Sequence, residues 1–500
     1  MKVKNFHLSI EHIWGLTALV GIFIFINTHP IRPHDFWWHI TVGHEILTTG
    51  KIPAVDIYSY TANGQAYPSY QMFWLMEIML YRIYQLGGPA FVVFIHSLII
   101  TSAYILIFAI CKLTSKSWRI AAFGVLFAAA LGLNDWNVRP QGITFLLASL
   151  YLLAIYEYRE NRQKRWLLVF PLGMLVWVNS HGTFFIGLVL MAIWLGQFVW
   201  DLIKSRKANN HADVQAMLLA PSLTIGITLL ICLINPRGFG ILNYLTTLFR
   251  NSVVQNLVTE WAPPTINSLM GVIFFCGLIV SVIVFALSPK RPNFFQITTF
   301  LVFGLLGLKT SRGSVWFGMV MAPILAEHVS YIFKRHQKQN DQTKKAEGSR
   351  LLNIIFCIVL ILMGLLTLPW FKDRLPLPLA KAGLISAETP IQATQVLLEK
   401  KPPGQLFNAI SFGSYLIWAA YPQYQVFVDS RIELFPEKVW IDYLNISNAS
   451  DDWESLLSDY GVNTLMLSPI EQPLLINAAQ ESGDWNLIYK DDSAYLFERR

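Results

Sequence analysis

Long apolar runs constrain this chain more than any other feature of its sequence. A helix that crosses a bilayer needs about 20 apolar residues, and hydrophobic residues make up 54% of the 500 residues. Charged residues make up 14%, whereas soluble domains contain about 25%. We therefore predict a polytopic α-helical membrane domain with about eleven transmembrane helices. The predicted spans are residues 13–28, 90–111, 120–134, 141–157, 166–179, 183–200, 217–235, 269–287, 294–308, 314–332 and 351–369.

The loops between these runs alternate in their content of Lys and Arg. One set, together with Lys2 and Lys4, contains twenty cations, whereas the other contains eight despite a long first loop. Cationic loops stay in the cytoplasm. The alternation predicts a multi-pass protein of the inner (plasma) membrane with a cytoplasmic N-terminus, an odd number of helices and a non-cytoplasmic C-terminal domain. The net charge of +7 is spread over these short loops, so we predict no nucleic-acid partner.

The first apolar run follows Lys2 and Lys4, as in a signal peptide, but no small-residue cleavage site follows it. This pattern predicts an uncleaved first helix. The cysteines also lie inside apolar runs, which predicts small buried side chains and neither disulfides nor a thiolate metal site. They are Cys111, Cys232, Cys276 and Cys357.

Three segments follow from the composition: a membrane domain over 1–369, a Pro-rich linker over 370–390 and a small α/β domain over 391–500. The long first outward loop, 29–89, has two helical patterns, Asp35–Leu47 and Tyr70–Leu86, that suit the membrane interface. No GxGxxG or P-loop pattern supports nucleotide binding. In the α/β domain, strands are predicted at 406–410, 425–429, 463–467, 485–489 and 495–498, and helices near 413–420, 451–460 and 470–481.

Polar residues of the first outward loop are the first candidates for chemistry, because charge beside a bilayer is costly. Asp35 suits a general base toward a hydroxyl, or a ligand of a divalent cation together with His39. The alternative is an interfacial helix start, in which Asp35 caps the helix and the neighbouring tryptophans form an aromatic belt. Asp56 and Glu77 are further carboxylates of this loop, and ordinary solvated polarity is the alternative for each.

The other outward loops add polar residues beside apolar helix ends. An Arg at this level can bind a phosphate with two hydrogen bonds, or it can pair with a first-loop carboxylate or a lipid head group. A transporter would place such residues near mid-membrane, where they are scarce in this chain. The polar clusters are therefore expected to meet at the outer membrane face. They include Arg139, His181, Arg237, Glu260 and Arg312.

The order of these motifs resembles the GT-C superfamily of polyprenyl-phosphate-sugar-dependent glycosyltransferases, through a broad group of bacterial multi-span proteins. The likeness extends over nearly the whole chain. It rests on Asp35-Phe36-Trp37-Trp38-His39, Gly43, Gly50-Lys51-Ile52-Pro53, Asp56, Tyr58-Ser59, Thr61, Trp74, Glu77, Arg139-Pro140-Gln141, Asn179-x-His181-Gly182, Asn235-Pro236-x-Gly238, Glu260-Trp261, Arg312, Gly413-x-Tyr415-Leu416 and Val428-Asp429-Ser430-Arg431-x-Glu433-Leu434.

The resemblance implies roles for individual residues. Asp35 matches the family's first-loop carboxylate, which acts as a base or lies beside a metal, and Asp56 is the second candidate. Arg139 and Arg312 would hold the phosphate of the lipid-linked donor. No Asp-x-Asp occurs in an outward loop, which leaves metal dependence open. The WWDxG-type motif of oligosaccharyltransferases is also missing, so protein N-glycosylation is not implied. The remaining substrate-binding candidates are His39, Glu77, His181, Arg237 and Glu260.

In the C-terminal domain, Asp429 and Arg431 would line an acceptor site, with a strand-end salt bridge as the alternative. The leading hypothesis is an inverting glycosyltransferase that moves a sugar from a lipid-linked donor to an envelope acceptor. The second is a non-catalytic scaffold or lipid-binding accessory subunit, and the third is a transporter. Lipid density in a groove beside Asp35 and Arg312, with a clear path for an acceptor, would favour the enzyme. A groove sealed by the first-loop helices, with Asp35 facing lipid, would favour the scaffold.

Overall fold

Helices lie at all of the apolar runs in this computed structural model, which describes residues 8–206, 211–241, 243, 261–337 and 349–500. Short 3₁₀ turns occur at Leu133–Asp135, Lys164–Leu168 and Pro369–Arg374. The helices are α1 (Ile10–Asn27), α2 (Phe36–Thr49), α3 (Tyr70–Ser115), α4 (Trp118–Gly132), α5 (Gly142–Asn161), α6 (Val169–Trp177), α7 (Phe184–Arg206), α8 (His211–Ile231), α9 (Leu269–Leu287), α10 (Phe294–Lys309), α11 (Gly313–Gln337) and α12 (Arg350–Leu366).

Five of these helices are long and apolar enough to cross a membrane: α1, α3, α7, α9 and α11. Several others, among them α10 and α12, are apolar but shorter. Helix α12 exposes most of its Leu, Ile and Val side chains and buries only Asn353 and Gly364. Such an apolar surface is unfavourable in water and suits lipid. The helical membrane fold is thus confirmed, and the number of crossings stays a prediction.

Both interfacial helices predicted in the first outward loop are present as helices. Helix α2 begins at Phe36 and ends at Gly50, whose φ of 69° allows the left-handed turn that stops a helix. In α3, the backbone leaves helical geometry at Gly87 and Gly88, just before Pro89. This kink separates the first-loop part of α3 from the predicted span over 90–111, since Pro89 cannot continue the helical hydrogen bonds.

The C-terminal segment forms a four-stranded sheet in the order β1-β2-β4-β3, with helices packed against it. Strand β1 is parallel to β2, and the other pairs are antiparallel, so Leu465 lies between Phe407 and Phe497. A 3₁₀ turn covers Ile432–Leu434. The elements are α13 (Leu379–Ala382), α14 (Ile391–Lys400), β1 (Gln405–Asn408), α15 (Ile410–Ala419), α16 (Glu437–Ser447), α17 (Trp453–Asp459), β2 (Val462–Leu467), α18 (Pro473–Glu481), β3 (Trp485–Lys490) and β4 (Tyr495–Arg499).

The strand predicted over 425–429 is wrong. This segment makes a single bridge, between Val426 and Ser59 of the first outward loop. The backbone nitrogen of Val426 donates to the oxygen of Tyr58 at 3.0 Å, and its oxygen accepts from Tyr60 at 3.2 Å. Its short apolar run, 426–428, resembles a buried strand, but its backbone partner is the first loop and not the sheet.

One hydrophobic core joins the C-terminal sheet to the first outward loop. Trp38, Tyr58 and Tyr70 of the loop pack in the same buried cluster as Phe407 and Leu465 of the sheet. A four-stranded sheet needs an apolar cover on its core face to be stable. The first loop contributes to that cover and brings α2 against the C-terminal unit.

Candidate active site

A cavity of about 700 Å³ lies where the first outward loop, the other predicted outward loops and the C-terminal unit meet. Asp35 and Glu433 contribute carboxylates, and Trp38, Trp261 and Trp316 add aromatic surface. Because the cavity carries an excess of positive charge, it favours an anionic ligand. The cationic side chains that line it are Arg32, Arg139, Arg237, Lys309, Arg312 and Arg431.

Asp35 lies directly before α2, and its side chain faces this cavity. It makes no capping hydrogen bond to the helix, so the helix-cap interpretation does not account for it. An Nη1 of Arg139 lies 3.4 Å from Oδ2 of Asp35. Burial alone would raise the pKa of Asp35, but Arg139, with smaller contributions from His39, Ser430 and Arg312, lowers it below its usual range. Asp35 is therefore a carboxylate at neutral pH.

His39 lies one turn after Asp35 and is held from behind by Glu77. The Nδ1 of His39 is 3.0 Å from Oε1 of Glu77, and both side chains are almost fully buried. Burial, with a smaller contribution from Arg139, lowers the pKa of His39 to about 3. The imidazole is therefore neutral, and its partner at Nδ1 fixes the orientation of the ring toward the cavity.

Gly43 explains why α2 can approach α3 closely enough for this contact. A Cβ atom at Gly43 would overlap the carbonyl oxygen of Glu77. Asp35, His39 and Gly43 are spaced by four residues, so they lie along one face of the chain as it enters and forms α2. One face of this motif thus carries the carboxylate of Asp35, the imidazole of His39 and the close helix contact at Gly43.

Arg431 forms a buried charge cluster that connects the C-terminal unit to the first loop. Its Nε and Nη2 donate to the two oxygens of Asp429 at 2.8 and 2.6 Å, and its Nη1 donates to Asp56 at 2.6 Å and to Tyr70. Asp56 also accepts from the backbone nitrogen of Ser59 at 2.9 Å. Burial alone would lower the pKa of Arg431, but Asp429, Tyr70 and Asp56 raise it above its usual range.

The loops that follow α6 and α8 are held together by asparagines. Asn179 accepts from the indole nitrogen of Trp74 at 2.9 Å, and Asn235 donates to the backbone oxygen of Val178 at 2.8 Å. The Asn235 side chain also accepts from the backbone nitrogen of Arg237 at 2.9 Å. These bonds place His181 and Arg237, the neighbours of the two asparagines in sequence, on the cavity wall.

Arg312 lies on the same wall, with its guanidinium 5.5 Å from the ring centre of Trp261. Burial lowers the pKa of His181 well below its usual range, and the charges of Arg312 and Arg139 lower it further. Residues from three predicted outward loops therefore influence one another electrostatically. This cationic wall is the part of the cavity best suited to a phosphate group.

The structure brings most of the predicted site residues together. Those that line the cavity are Asp35, His39, Arg139, His181, Arg237, Arg312 and Arg431. Asp56, Glu77 and Asp429 have no exposed surface and lie behind the cavity wall. Their burial argues against direct contact with a substrate, and catalysis by Asp56 stays a prediction. Glu260 lies outside the described residues.

Several lining residues were not among the predicted site residues: Arg32, Tyr67, Lys309, Ser411, Ser430 and Glu433. Arg32 and Lys309 belong to the small set of outward cations, which is a usable signal. Ser430 and Glu433 lie in the same short motif as Asp429 and Arg431. The motif does not tell which of its side chains face the cavity, because the turn after residue 428 is irregular.

A divalent cation was left open by the sequence. Across the described ranges, no three His, Cys, Asp or Glu side chains form a group that could hold a metal ion. The charged neighbours of Asp35 are cationic, since Arg139 and Arg312 lower its pKa. A hard divalent cation instead requires several oxygen ligands. The side chains around Asp35 therefore do not fit a divalent cation. The neighbouring arginines suit an anion better.

These observations allow the fold to be compared with solved structures. A polytopic helical membrane domain that carries a cationic cavity under an α/β unit agrees with the GT-C fold expected from the sequence. Two solved structures of ArnT from Cupriavidus metallidurans, one bound to undecaprenyl phosphate and one in the apo state, share this fold. Each matches with a TM-score of 0.51 and 11% sequence identity, over 97% of both chains.

The predicted likeness of fold is therefore confirmed by structural similarity to ArnT. No protein-family model matches the chain, and no curated protein matches it in sequence. At 11% identity the similarity is one of fold, and the function has to be argued from the cavity.

Proposed function

We propose that this protein is a membrane glycosyltransferase that moves a sugar from a polyprenyl-phosphate donor to a hydroxyl group of an envelope acceptor. The single observation that carries the proposal is the position of Asp35. It is an ionised carboxylate in a cavity that otherwise carries mainly positive charge, beside Arg139. The fold shared with ArnT, which has been crystallised with undecaprenyl phosphate, supports the choice of donor.

The cavity has the parts that an inverting transfer requires. The Asp35 carboxylate accepts the proton as the acceptor hydroxyl attacks the anomeric carbon of the sugar. The bond from that carbon to the phosphate oxygen breaks, and its electron pair leaves with polyprenyl phosphate. Arg139 and Arg312 stabilise the negative charge on the leaving phosphate. His39 is neutral and adds no charge of its own to the reacting groups.

The proposed location is the outer face of the inner membrane, with a cytoplasmic N-terminus. It rests on the distribution of Lys and Arg among the loops, since the loops that line the cavity belong to the cation-poor set. The lipid part of the donor would remain in the bilayer, and the α/β unit would cover the reacting groups. Membrane lipids are then the ordinary neighbours of α9 and α12.

The test uses a deletion strain complemented with variants of the full chain, and mass spectrometry of the envelope glycans. We expect the deletion to remove one sugar from one glycan, and Asp35→Asn to fail to restore it, because an amide cannot accept the proton. Asp484→Asn, an exposed carboxylate of the C-terminal unit, is the matched control and should restore it fully. In parallel, purified Arg312→Gln in nanodiscs should bind undecaprenyl phosphate more weakly than the wild type.

Two results would change the assignment. Full restoration by Asp35→Asn, with restoration lost in Arg312→Gln, would indicate a lipid-binding accessory subunit without chemistry of its own. Normal glycans in the deletion strain, together with no binding of undecaprenyl phosphate, would contradict the enzyme altogether. A transporter would instead require a change in the amount of lipid-linked sugar on each side of the membrane.

A further inference from the structure

We infer that the C-terminal unit forms the acceptor subsite through Glu433, Ser430 and Ser411, and that this subsite takes hydroxylated acceptors without a negative charge. The inference rests on the proposed function and assigns the acceptor end of the same cavity. It differs from the residues that the sequence suggested, since Asp429 is buried and the guanidinium of Arg431 is occupied by Asp429, Asp56 and Tyr70.

The membrane domain and the C-terminal unit contribute different kinds of side chain to the cavity. The membrane domain contributes Arg139, Arg237 and Arg312 from its loops and Lys309 from the end of α10. The C-terminal unit contributes Ile410, Ser411, Ser430, Arg431, Ile432 and Glu433. Because the charge of Arg431 is balanced by Asp429 and Asp56 behind it, the wall formed by this unit presents hydroxyls and one carboxylate. The wall from the membrane domain is thus cationic, and the wall from the C-terminal unit is not.

Asp35 lies between these two walls. Arg139 of the cationic wall is 3.4 Å from its carboxylate, and Ser430 of the other wall lines the same cavity and lowers the pKa of Asp35. Ser430 is itself held by Ser414 of α15 at 2.9 Å. In an inverting displacement, the nucleophile and the leaving group lie on opposite sides of the anomeric carbon. A phosphate on the cationic wall therefore places the acceptor on the wall of the C-terminal unit.

Glu433 defines the chemistry that this wall recognises. Its side chain lines the cavity, and its Oε1 accepts a hydrogen bond from the hydroxyl of Tyr67 at 2.7 Å. Burial and, to a smaller extent, the charge of Asp35 raise the pKa of Glu433, whereas the bond from Tyr67 lowers it. The bond to Tyr67 of the first loop orients the carboxyl group, so it is prepared to accept further hydrogen bonds from a ligand. Hydroxyl and amino groups donate to a carboxylate, whereas an acidic sugar would place like charges together.

The experiment measures binding of three methyl glycosides to the purified full chain in nanodiscs by saturation-transfer NMR. The probes are methyl glucoside, methyl glucosaminide and methyl glucuronide, which are neutral, cationic and anionic. Wild-type protein should bind the first two and should bind the glucuronide more weakly by about tenfold, the size expected for one charged contact. Glu433→Gln should lower the affinity for the glucosaminide by about tenfold and reduce the discrimination against the glucuronide.

Glu437→Gln, an exposed carboxylate four residues further along, is the matched control and should leave all three affinities unchanged. Ser430→Ala is a second variant that reports on the same wall and should weaken binding of all three probes. No binding of any probe to the wild type, or an unchanged order of affinities in Glu433→Gln, would overturn the acceptor subsite. Binding of undecaprenyl phosphate, measured on the same samples, tests the donor end separately. If the wild type does not bind this lipid, the proposed function is contradicted and the acceptor subsite is not.

Discussion

The substitution Arg431→Met is a quantitative test of the buried charge cluster around Arg431. Met has a similar length and fills the aromatic surroundings of Trp38, Tyr58 and Tyr67, which lie within 6 Å of the guanidinium. The substitution removes the guanidinium that pairs with Asp429 and with Asp56. The bond between Arg431 and Asp56 joins residues that are 375 positions apart. Both carboxylates have no exposed surface, so water cannot compensate them while the fold is intact.

The expected size follows from the cost of an unpaired buried charge. Removing one partner of a buried ion pair destabilises a protein by about 3–5 kcal/mol. The Arg431 contacts bridge the C-terminal unit and the first loop, so we assign this cost to their separation. Since about 1.4 kcal/mol corresponds to a factor of ten, the population in which the two segments separate should rise by about 140-fold to 4,000-fold.

Hydrogen exchange with mass spectrometry measures this population. In Arg431→Met, peptides from 56–62 and 424–434 should lose protection together, because these segments pair with each other in the intact fold. Arg499→Met is the matched control, since Arg499 donates to the hydroxyl of Ser458 at 3.1 Å and lies 5.5 Å from the ring centre of Trp485, outside both peptides. It should leave both peptides protected.

A second substitution separates charge from packing. In the double variant with Asp56→Asn, one of the two buried charges is gone, so the double variant should open less often than Arg431→Met alone. Protection in Arg431→Met within threefold of the wild type would refute the reasoning. So would an additive effect of the two substitutions, since it would indicate that the residues do not share one electrostatic cluster.

Two further predictions concern the helix that carries Asp35. Gly43→Ala should lower the free energy of unfolding by about 1–3 kcal/mol, because the new methyl group overlaps the Glu77 carbonyl; the control Gly21→Ala meets no atom within 4 Å and should show no loss in a thermal-inactivation assay. Arg139→Gln removes the strongest group that lowers the pKa of Asp35 and leaves the burial that raises it. The acid limb of the pH–activity profile should therefore move to higher pH, and an unmoved limb would exclude Asp35 as the titrating base.

Much of the helical architecture was predictable because its cause is local. An apolar run long enough to span a bilayer leaves few alternatives to a helix, since unpaired backbone groups are very costly in lipid. The break near Gly87 and Pro89 and the stop at Gly50 also follow from residues at those positions. The segment 425–429 shows the limit of this reasoning, because its burial has a tertiary origin.

The site was predictable in part for the same reason. Loop charges and helix ends predicted that Asp35, His39, Arg139 and Arg312 lie on one side of the membrane domain, and all four line one cavity. What could not be read from the sequence is which side of each short motif faces that cavity. Asp429 and Glu433 are four residues apart in an irregular turn, yet one is fully buried against Arg431 and the other is exposed to the cavity.

By itself, the sequence determined that this chain is a bundle of apolar helices whose chemistry gathers at one end, since hydropathy and loop charge act over a few residues at a time. The tertiary structure decided how the first loop and the C-terminal unit close over that end. Their contact joins residues more than 300 positions apart through one core and one buried Arg. Such pairings depend on shape and on the matching of buried charges, which no local pattern records.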